Sequence, residues 1–473
     1  MEPISDYLKG NSVLSDERKK QLGEFLQPLV LTQNLIERIM AGMEDHIKMA
    51  NSPDRSVRDK SDVLMANTHV RCLLDGKENG TYLGLDLGGS NFRVVKVIFT
   101  NGEATTTTSY YTLTDEVRSG PCDRIFEFIA ISIKDFLEKE GLASSANKIP
   151  LGFTFSFPTE QYTLNRSKLL TWTKTFKNPD GPGRDPVQML EQAIQKETPN
   201  LPVDVVAVMS DTTSTLMAGN YLDKKCRIGL ILGTGFNIAF VEHVKNIEKW
   251  TGDGKEPKHV LVNIENGSLG DGGSLDFYRS EFEKEVDKHS NHPHSFTFEK
   301  SFSGHYLGEL VRLVLVKLID QKVLLGGTTS PQILERWDFT TTDVTKIVCD
   351  KEGDWKNTRD VLSRMNLNDK ATDEDVEVIR QVALFMSKRG AYIVASALAV
   401  CVRHVNLPEV TVAIDGSVYE HHPTFHPDMT DLLAKLAPQS KVKLILAKDG
   451  SGQGGAFVAV SALRQRELNL VSA

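Results

Sequence analysis

The segment VAVMSDTTSTL, residues 206–216, reads as a buried strand that stops at an acid. A strand that delivers one carboxylate, Asp211, to its carboxyl end can offer a proton acceptor to a cleft. Deprotonating a hydroxyl needs such a group. The same acid, followed by small hydroxyl residues, also fits a helix cap. Glycine turns elsewhere could hold an anion. In DLGGSN, Asp86 ends a strand before Gly88, Gly89 and Ser90; in LGTGFN, Gly233, Thr234 and Gly235 follow another strand. Glycines let backbone N–H groups approach an anion closely, and Ser90, Asn91 and Arg93 could add donors and charge. A plain hairpin uses the same glycines. Two such turns in one chain could grip a triphosphate from both sides of a cleft. Asp415, Gly416 and Ser417 form a further close-approach loop, and DGSGQGG at 449–455, with Ser451 and Gly452, opens a helix whose N-terminus favours anions. No G-x-x-x-x-G-K-[ST] loop occurs, and GTGFNI lacks the third glycine of a dinucleotide fingerprint.

The elements around these residues alternate. YLGLDLGGSNFRVVKVIF and RIGLILGTGFNIAFVEH each read as strand, glycine turn, strand. Leu35, Ile36, Ile39, Met40, Met43 and Ile47 repeat at helical spacing behind a capping Thr32. Further helices are expected over residues 123–141, 186–197 and 304–324, and over a long run at 373–405, in which Gly390 suggests a bend. Strands are expected at KIPLGFTFSFP, VDVVAVMSD, EVTVAID and KLILA, the last followed by a glycine loop before a final helix. Two strand–turn–strand units, one in each half, predict two α/β lobes with a cleft between them.

Composition sets the frame. The chain has 473 residues, 40% hydrophobic and 25% charged, which suits a soluble globular protein with more than one core. A net charge of −8 argues against nucleic acid and against an anionic membrane as partners. The 5 cysteines are scattered without CxxC spacing, so a reducing compartment is expected and the cytoplasm is the default. The polar start MEPISDYLKG lacks the apolar stretch of a signal peptide or mitochondrial anchor, and no chelating cluster for a metal is evident.

The stretches YLGLDLGGSNFRVVKV, LGFTFSFP, WTKTF, SDTTSTLMAG, IGLILGTGFNIAFVE, ENGSLGDGG, GHYLGELVRLVL and IDGSVYEHHP together resemble the eukaryotic hexokinase/glucokinase family, in family order over about residues 62–456. The resemblance implies a two-lobed actin-like, ribonuclease-H-like duplicated α/β fold. It implies a large domain of residues 1–74 with 212–450 and a small domain of 75–211 with 451–473. It also implies ATP-dependent phosphorylation of the 6-hydroxyl of glucose and related hexoses, the first step of glycolysis, with magnesium arriving on the nucleotide and steadied through water by Asp86. Carried onto this sequence, Asp211 is the catalytic base and Lys174 steadies charge. Ser156, Thr173, Lys174, Ser210, Asn237, Glu265 and Glu299 contact the sugar. Asp86, Gly88, Gly89, Ser90, Asn91 and Arg93 form the first phosphate loop, and Gly233, Thr234 and Gly235 the second. Asp415, Gly416 and Ser417, with Ser451 and Gly452, form the adenosine side. A monomer is the expected state.

This sequence departs from the family pattern. Ser210 stands where the family usually has Asn, Asn266 where it usually has an aromatic, Ser90 where it usually has Thr, and Leu269 where it usually has Phe. Ser210 and Asn266 are therefore expected to weaken the grip on sugar, through a lost amide and a lost apolar wall. These departures leave a sugar-binding or regulatory protein with weak catalysis as the alternative. An actin-like ATPase would keep the nucleotide loops but has no use for SFP, WTK, Glu265 and Glu299.

Overall fold

The computed structural model describes residues 4–88, 91–173 and 175–470, so Gly89, Ser90 and Lys174 lie outside the described residues, as does the side chain of Asn91. After a short strand, Ala66–Asn67 (β1), come Gly80–Leu87 (β2), Asn91–Thr100 (β3), Glu103–Thr112 (β4), Ile149–Phe155 (β5), Thr159–Thr163 (β6), Arg166–Leu169 (β7) and Val203–Met209 (β8). The second half supplies Cys226–Leu232 (β9), Phe236–His243 (β10), His259–Asn263 (β11), Glu409–Asp415 (β12) and Lys441–Leu446 (β13). Six helices matter below: Gln33–Asn51 (α1), Asp123–Lys139 (α2), Asp211–Leu222 (α3), Leu307–Asp320 (α4), Asp373–Val405 (α5) and Gly450–Glu467 (α6).

The two halves build the same sheet twice. One sheet has the order β4-β3-β2-β5-β8, the other β11-β10-β9-β12-β13 with β1 added at its edge. In each, the first three strands form an antiparallel meander and the last two run parallel to the first. The two expected strand–turn–strand units are β2–β3 and β9–β10, at equivalent places in the two sheets. Short turns join β3 to β4 and β9 to β10, a longer segment at 244–258 joins β10 to β11, and helices intervene between the parallel strands.

The helices that follow the last strand of each sheet are exchanged. α3 leaves β8 and packs on β9 and β12 of the other sheet, while α6 leaves β13 and packs on β2 and β5. α3 and α6 also pack on each other, so the middle of the protein is sheet, helix, helix, sheet. Thr212 through Asn220 are all buried, which is why this helix is short on charge and has no polar face. The apolar filling of the layer comes from both halves: Val95 and Val97 in β3, Leu216 and Met217 in α3, Ala239 in β10 and Phe457 in α6.

Glycines set how close these layers come. Gly84 and Gly229 each lie three residues before the end of their equivalent strands. A Cβ on Gly84 would lie 2.6 Å from the Gly452 carbonyl oxygen in α6, and one on Gly229 would lie 2.5 Å from the Thr212 carbonyl oxygen in α3. A Cβ on Gly454 would fall well inside contact distance of the Ser214 carbonyl oxygen. The expected glycine loop before the last helix is therefore the first turn of α6 itself. Its glycines are there for backbone contact, and Thr154 of β5 bonds both Ser214 Oγ, at 2.7 Å, and the Ser451 carbonyl, at 2.9 Å.

The large lobe adds α1, α4 and α5 to its sheet. Thr32 caps α1 through the Leu35 N–H, and the expected apolar stripe is buried apart from Leu35, which is partly buried. α4 begins three residues later than expected, at Leu307. α5 runs unbroken for 33 residues through Gly390, where a Cβ would come within 2.9 Å of Phe302 Cβ; close packing explains that glycine, not a bend. α5 is long and apolar enough to cross a bilayer, and it lies buried in this core.

Gly454→Ala tests the contact between α3 and α6. Helix propensity alone would favour Ala by about 1 kcal/mol. Forcing a methyl against an immobile carbonyl costs about 1–3 kcal/mol or more. The expected outcome is net destabilisation in urea unfolding; a stabilised variant would show that the layers can part freely.

Candidate active site

Ser210, not Asp211, caps the helix that Asp211 begins. The Ser210 hydroxyl accepts the Thr213 N–H at 3.3 Å and so caps α3. Asp211 is the first residue inside the helix, and its carboxylate is not spent on the cap; among the described residues it accepts the Thr212 hydroxyl, at 3.1 Å. A negative group there gains from the helix dipole. The strand β8 delivers the acid, and the cap frees it.

Asp86, at the end of β2, is buried. Its cross-strand partner Arg93 donates to Asp86 Oδ2 through Nε at 2.9 Å and through Nη2. Arg93 Nη2 also reaches Ser451 Oγ at 2.6 Å, and that hydroxyl donates to Asp86 Oδ2 at 3.0 Å. Arg93 Nη1 reaches Asp449 at 2.7 Å, and the Ser451 N–H points to Asp415 Oδ2 at 3.3 Å. The sequence offers Arg93 as a charge free for an anion; in the structure it is already shared among carboxylates. Burial would lower its pKa, but Asp86, Asp449 and Asp415 outweigh that and raise it. Asp415 is pushed up to about 6 by burial, against the Ser451 N–H and Arg93, with Asp86 and Asp211 pushing it further. Several carboxylates around one guanidinium leave an excess of negative charge. Hard oxygen donors in that state fit a hydrated magnesium ion carried in by phosphates.

The second turn leads into a separate polar group. Gly233 lies against Gly416: a Cβ on Gly233 would meet Gly416 Cα at 3.3 Å. Gly416 itself has φ +127°, which glycine adopts freely. The carbonyls of Gly233 and Thr234 are held by the N–H of Gly304 and the hydroxyl of Ser303, which leaves the Thr234 side chain exposed. Glu299 sits against Gly235 and Gly267, where a Cβ on either would come within 2.9 Å of its Oε2, and accepts the Phe236 N–H at 2.9 Å. Asn237 donates to Asn263 at 2.9 Å and to Glu265 at 3.1 Å, while its Oδ1 accepts the Glu265 N–H at 3.0 Å. Asn263 donates to Glu265 at 2.6 Å. Sequence reasoning missed Asn263; its signal was the alternation VNIE, which puts Asn263 and Glu265 on one face.

Asn266 does not line a wall. It is 0% exposed, and its Oδ1 accepts the Ile238 N–H at 3.1 Å. The left-handed turn at Glu265, φ +57°, carries the next side chain inward to the backbone of β10. The expected loss of pocket wall at this position is therefore a change inside the core. Its Nδ2 has no partner among the described residues.

Ser156 follows β5 and its N–H bonds the Leu87 carbonyl at 3.1 Å, beside Asp86. Thr173 lies on a loop anchored by Trp172, which stacks on Phe176 at 5.5 Å and meets Phe157 and Phe155 edge-on. The structure thus gathers Asp86, Arg93, Asp415 and Ser451 by direct bonds, sets Asp211 in their field, and joins them through Gly416 and Gly233 to the Asn237–Glu265–Glu299 group. Ser417 is exposed and Gly452 is buried in the first turn of α6. Gly88, between β2 and β3, is partly buried. Such a site combines an acid able to take a proton, glycine turns and carboxylates suited to a phosphate–metal complex, and a dense set of donors and acceptors for hydroxyls.

Two family models, both described as Hexokinase, match residues 21–221 and 227–461. Hexokinase-1 of Homo sapiens is 35% identical over 463 residues, covering 96% of this chain and 49% of that protein. Hexokinase-2 of Homo sapiens is 36% identical over 464 residues, covering 95% of this chain and 49% of that protein. The chain spans about half the length of the curated relatives it matches. The solved hexokinase of Schistosoma mansoni complexed with glucose superposes with a TM-score of 0.85 at 35% identity, covering 94% of this chain and 99% of that one. A second hexokinase crystal structure superposes at 0.81 with 25% identity.

Asp415 gives a pH test. An acid whose folded-state pKa is raised above its ordinary value near 3.9 stabilises the fold in its protonated form. That contribution is intact below about pH 4 and is lost as pH rises through about 6. Asp415→Asn should therefore gain stability relative to wild type between pH 4 and pH 8, by about 1–3 kcal/mol. Parallel stability–pH curves from chemical denaturation would show that this carboxylate is not held against its charge.

Proposed function

This chain belongs to the hexokinase family, and on that premise we propose that it transfers the terminal phosphoryl group of ATP to the 6-hydroxyl of glucose and related hexoses. The products are the hexose 6-phosphate and ADP. The observation that carries the reading is Asp211: Ser210 caps α3, so the acid at its first position is left to act as a base beside Asp86 and Asp415.

In this mechanism the sugar lies against Asn237, Glu265 and Glu299 from the large lobe and Ser156 and Thr173 from the small lobe. Lys174 is assigned on its sequence position alone. The wrong sugar would leave some of these buried polar groups unpaired, which is how such a site discriminates. Asp211 accepts the proton of the 6-hydroxyl as its oxygen bonds to phosphorus, and the bond from phosphorus to the ADP oxygen breaks. The turn after Asp86 and the turn at Gly233, Thr234 and Gly235 hold the phosphates by backbone N–H groups; the Gly233 N–H is given to the Gly235 carbonyl at 3.1 Å, so the donors of the second turn are Thr234 and Gly235. Asp415, Gly416, Ser417, Ser451 and Gly452 border the adenosine side. Asp86 is oriented by Arg93 and Ser451 and would hold magnesium through water. When bound, magnesium neutralises phosphate charge and so favours departure of ADP.

The lobe division at 1–74 with 212–450 and 75–211 with 451–473 is part of this reading. It is supported by the two sheets, whose strands fall on either side of it, and by α6, which returns to the first sheet. A monomeric, cytoplasmic enzyme with no membrane or nucleic-acid partner is likewise proposed, on the acidic charge and on five cysteines, all free, four of them buried. A purely regulatory sugar sensor is less well supported, because Asp211 and the carboxylates around Arg93, which sugar binding alone does not need, are present.

The test is release of ADP from ATP with and without glucose, across a panel of sugars. Sugar-dependent release is expected; sugar-independent release would indicate a plain ATPase, and near-absent release a sensor. Asp211→Ala should lower turnover by roughly 10²–10⁴-fold with sugar binding better preserved. A variant that kept most of its turnover would remove Asp211 from the chemistry.

Ser210→Asn gives a separate test of sugar affinity. Asn caps helices as well as Ser does, so the fold should hold. The added amide should lower the KM for glucose by roughly 2- to 12-fold. An unchanged or higher KM at full stability would mean that Ser210 is no lesion in the sugar site.

A further inference from the structure

We propose that Asp449 is the resident partner of Arg93, and that a nucleotide phosphate displaces it on binding. This carboxylate would then set nucleotide affinity by competition. The idea rests on the reading above that the cleft takes ATP, and it concerns the same phosphate side of the site.

Arg93 is held unequally at its two ends. Its Nε and Nη2 face the buried Asp86 and Ser451, whose own hydroxyl bonds Asp86 as well. Among the described residues its Nη1 bonds Asp449 alone, at 2.7 Å, and the Asp449 side chain is 50% exposed against 17% for Arg93. An ion pair with a solvated partner is weakly held, whereas one inside a hydrogen-bonded, buried set is not. Asp86 is therefore a fixed partner and Asp449 an exchangeable one.

Asp449 also forgoes the role its position offers. It stands at the N-cap of α6, an 18-residue helix, yet its side chain makes no capping hydrogen bond. Its backbone sits at φ +55°, a conformation unfavourable for a residue with a Cβ. An aspartate at a helix N-cap ordinarily accepts the N–H groups of the first turn; this one is turned toward Arg93 instead. The neighbouring Lys448 does not compete for it, being paired with Glu420 at 2.8 Å.

Position supplies the other half. Asp86 and Arg93 are cross-strand partners near the ends of β2 and β3, and Asp449 immediately precedes α6, so the Nη1 end of Arg93 lies at the start of that helix. A phosphate arriving there brings more charge and more acceptor oxygens than a carboxylate, and guanidinium binds it in two-pronged fashion. Asp86, Asp415 and Asp449 surround one guanidinium, so Asp449 also repels the incoming anion until it swings away. Its exposure leaves room for that swing.

The experiment is calorimetric titration of the magnesium complexes of ADP and of a non-hydrolysable ATP analogue, with glucose saturating. Asp449→Asn keeps the shape, and Asn tolerates the left-handed backbone, so the start of α6 should persist; thermal unfolding checks this. The variant should bind both nucleotides about 2- to 10-fold more tightly than wild type, the range of a half-exposed ion pair. In an Arg93→Ala background the same substitution should raise affinity by a clearly smaller factor than it does with Arg93 present.

Equal or weaker binding by a folded Asp449→Asn would overturn the exchange, as would a gain that survives in full without Arg93. A wild-type chain that binds neither nucleotide overturns the functional reading and the exchange together, so the two failures are distinguishable.

Discussion

The backbone contact between α3 and α6 is the constraint on which the rest of this protein depends. Each helix leaves the last strand of one sheet and packs on the other sheet. Gly454 lets main chain meet main chain between the two helices, against the Ser214 carbonyl, and Gly84 against Gly452 and Gly229 against Thr212 do the same between each helix and its sheet. Packing this tight is stiff within each layer pair, since carbonyl oxygens cannot rearrange as side chains do. It also fixes where each helix begins. The first residue of α3 is Asp211, and the first turn of α6 carries Ser451. The two helix starts that meet at the candidate site are therefore set by the contact that holds the lobes together.

The site concentrates negative charge on purpose of that geometry. Asp86 ends one strand, Asp415 ends another, and Asp211 and Asp449 begin the two exchanged helices. One guanidinium, Arg93, is shared among three of them. In water this crowding would be mild, but here burial holds Asp415 against its charge, up to about 6. The protein thus carries an electrostatic load at this end of the candidate site. The other end is built differently: its acids, Glu265 and Glu299, accept hydrogen bonds from Asn237, Asn263 and backbone N–H groups. One end holds carboxylates in excess, and the other is a hydrogen-bonded set of fixed geometry. Phosphoryl transfer depends on both, as charge stabilisation and as positioning.

The likeness to hexokinases covers nearly all of this chain, and the differences fall at places where the structure changes their meaning. Ser210 caps α3, so its hydroxyl has a backbone partner in the helix, which residue type alone does not show. Asn266 is enclosed and bonded to β10, so its polarity is an internal matter of the loop that carries Glu265. Neither could be judged from residue type alone, because burial and bonding direction depend on where the chain turns next.

Local chemistry determined much of this protein from its sequence. The alternation of β-branched runs with glycine turns set the strands, the 3.6-residue stripes set the helices, and the acid at the end of β8 was visible as a candidate base. Two repeats of strand–glycine turn–strand were enough to expect two lobes. What the sequence could not carry was any relation between residues far apart in the chain. The exchange of α3 and α6, the reason for the glycines at 450–455, the bonding of Arg93 to Asp449 across 356 positions, and the inward turn of Asn266 were decided only in three dimensions. Periodicity and turn chemistry are properties of neighbours along the chain. Close approach, charge sharing and burial belong to neighbours in space, and only the packed tertiary structure creates them.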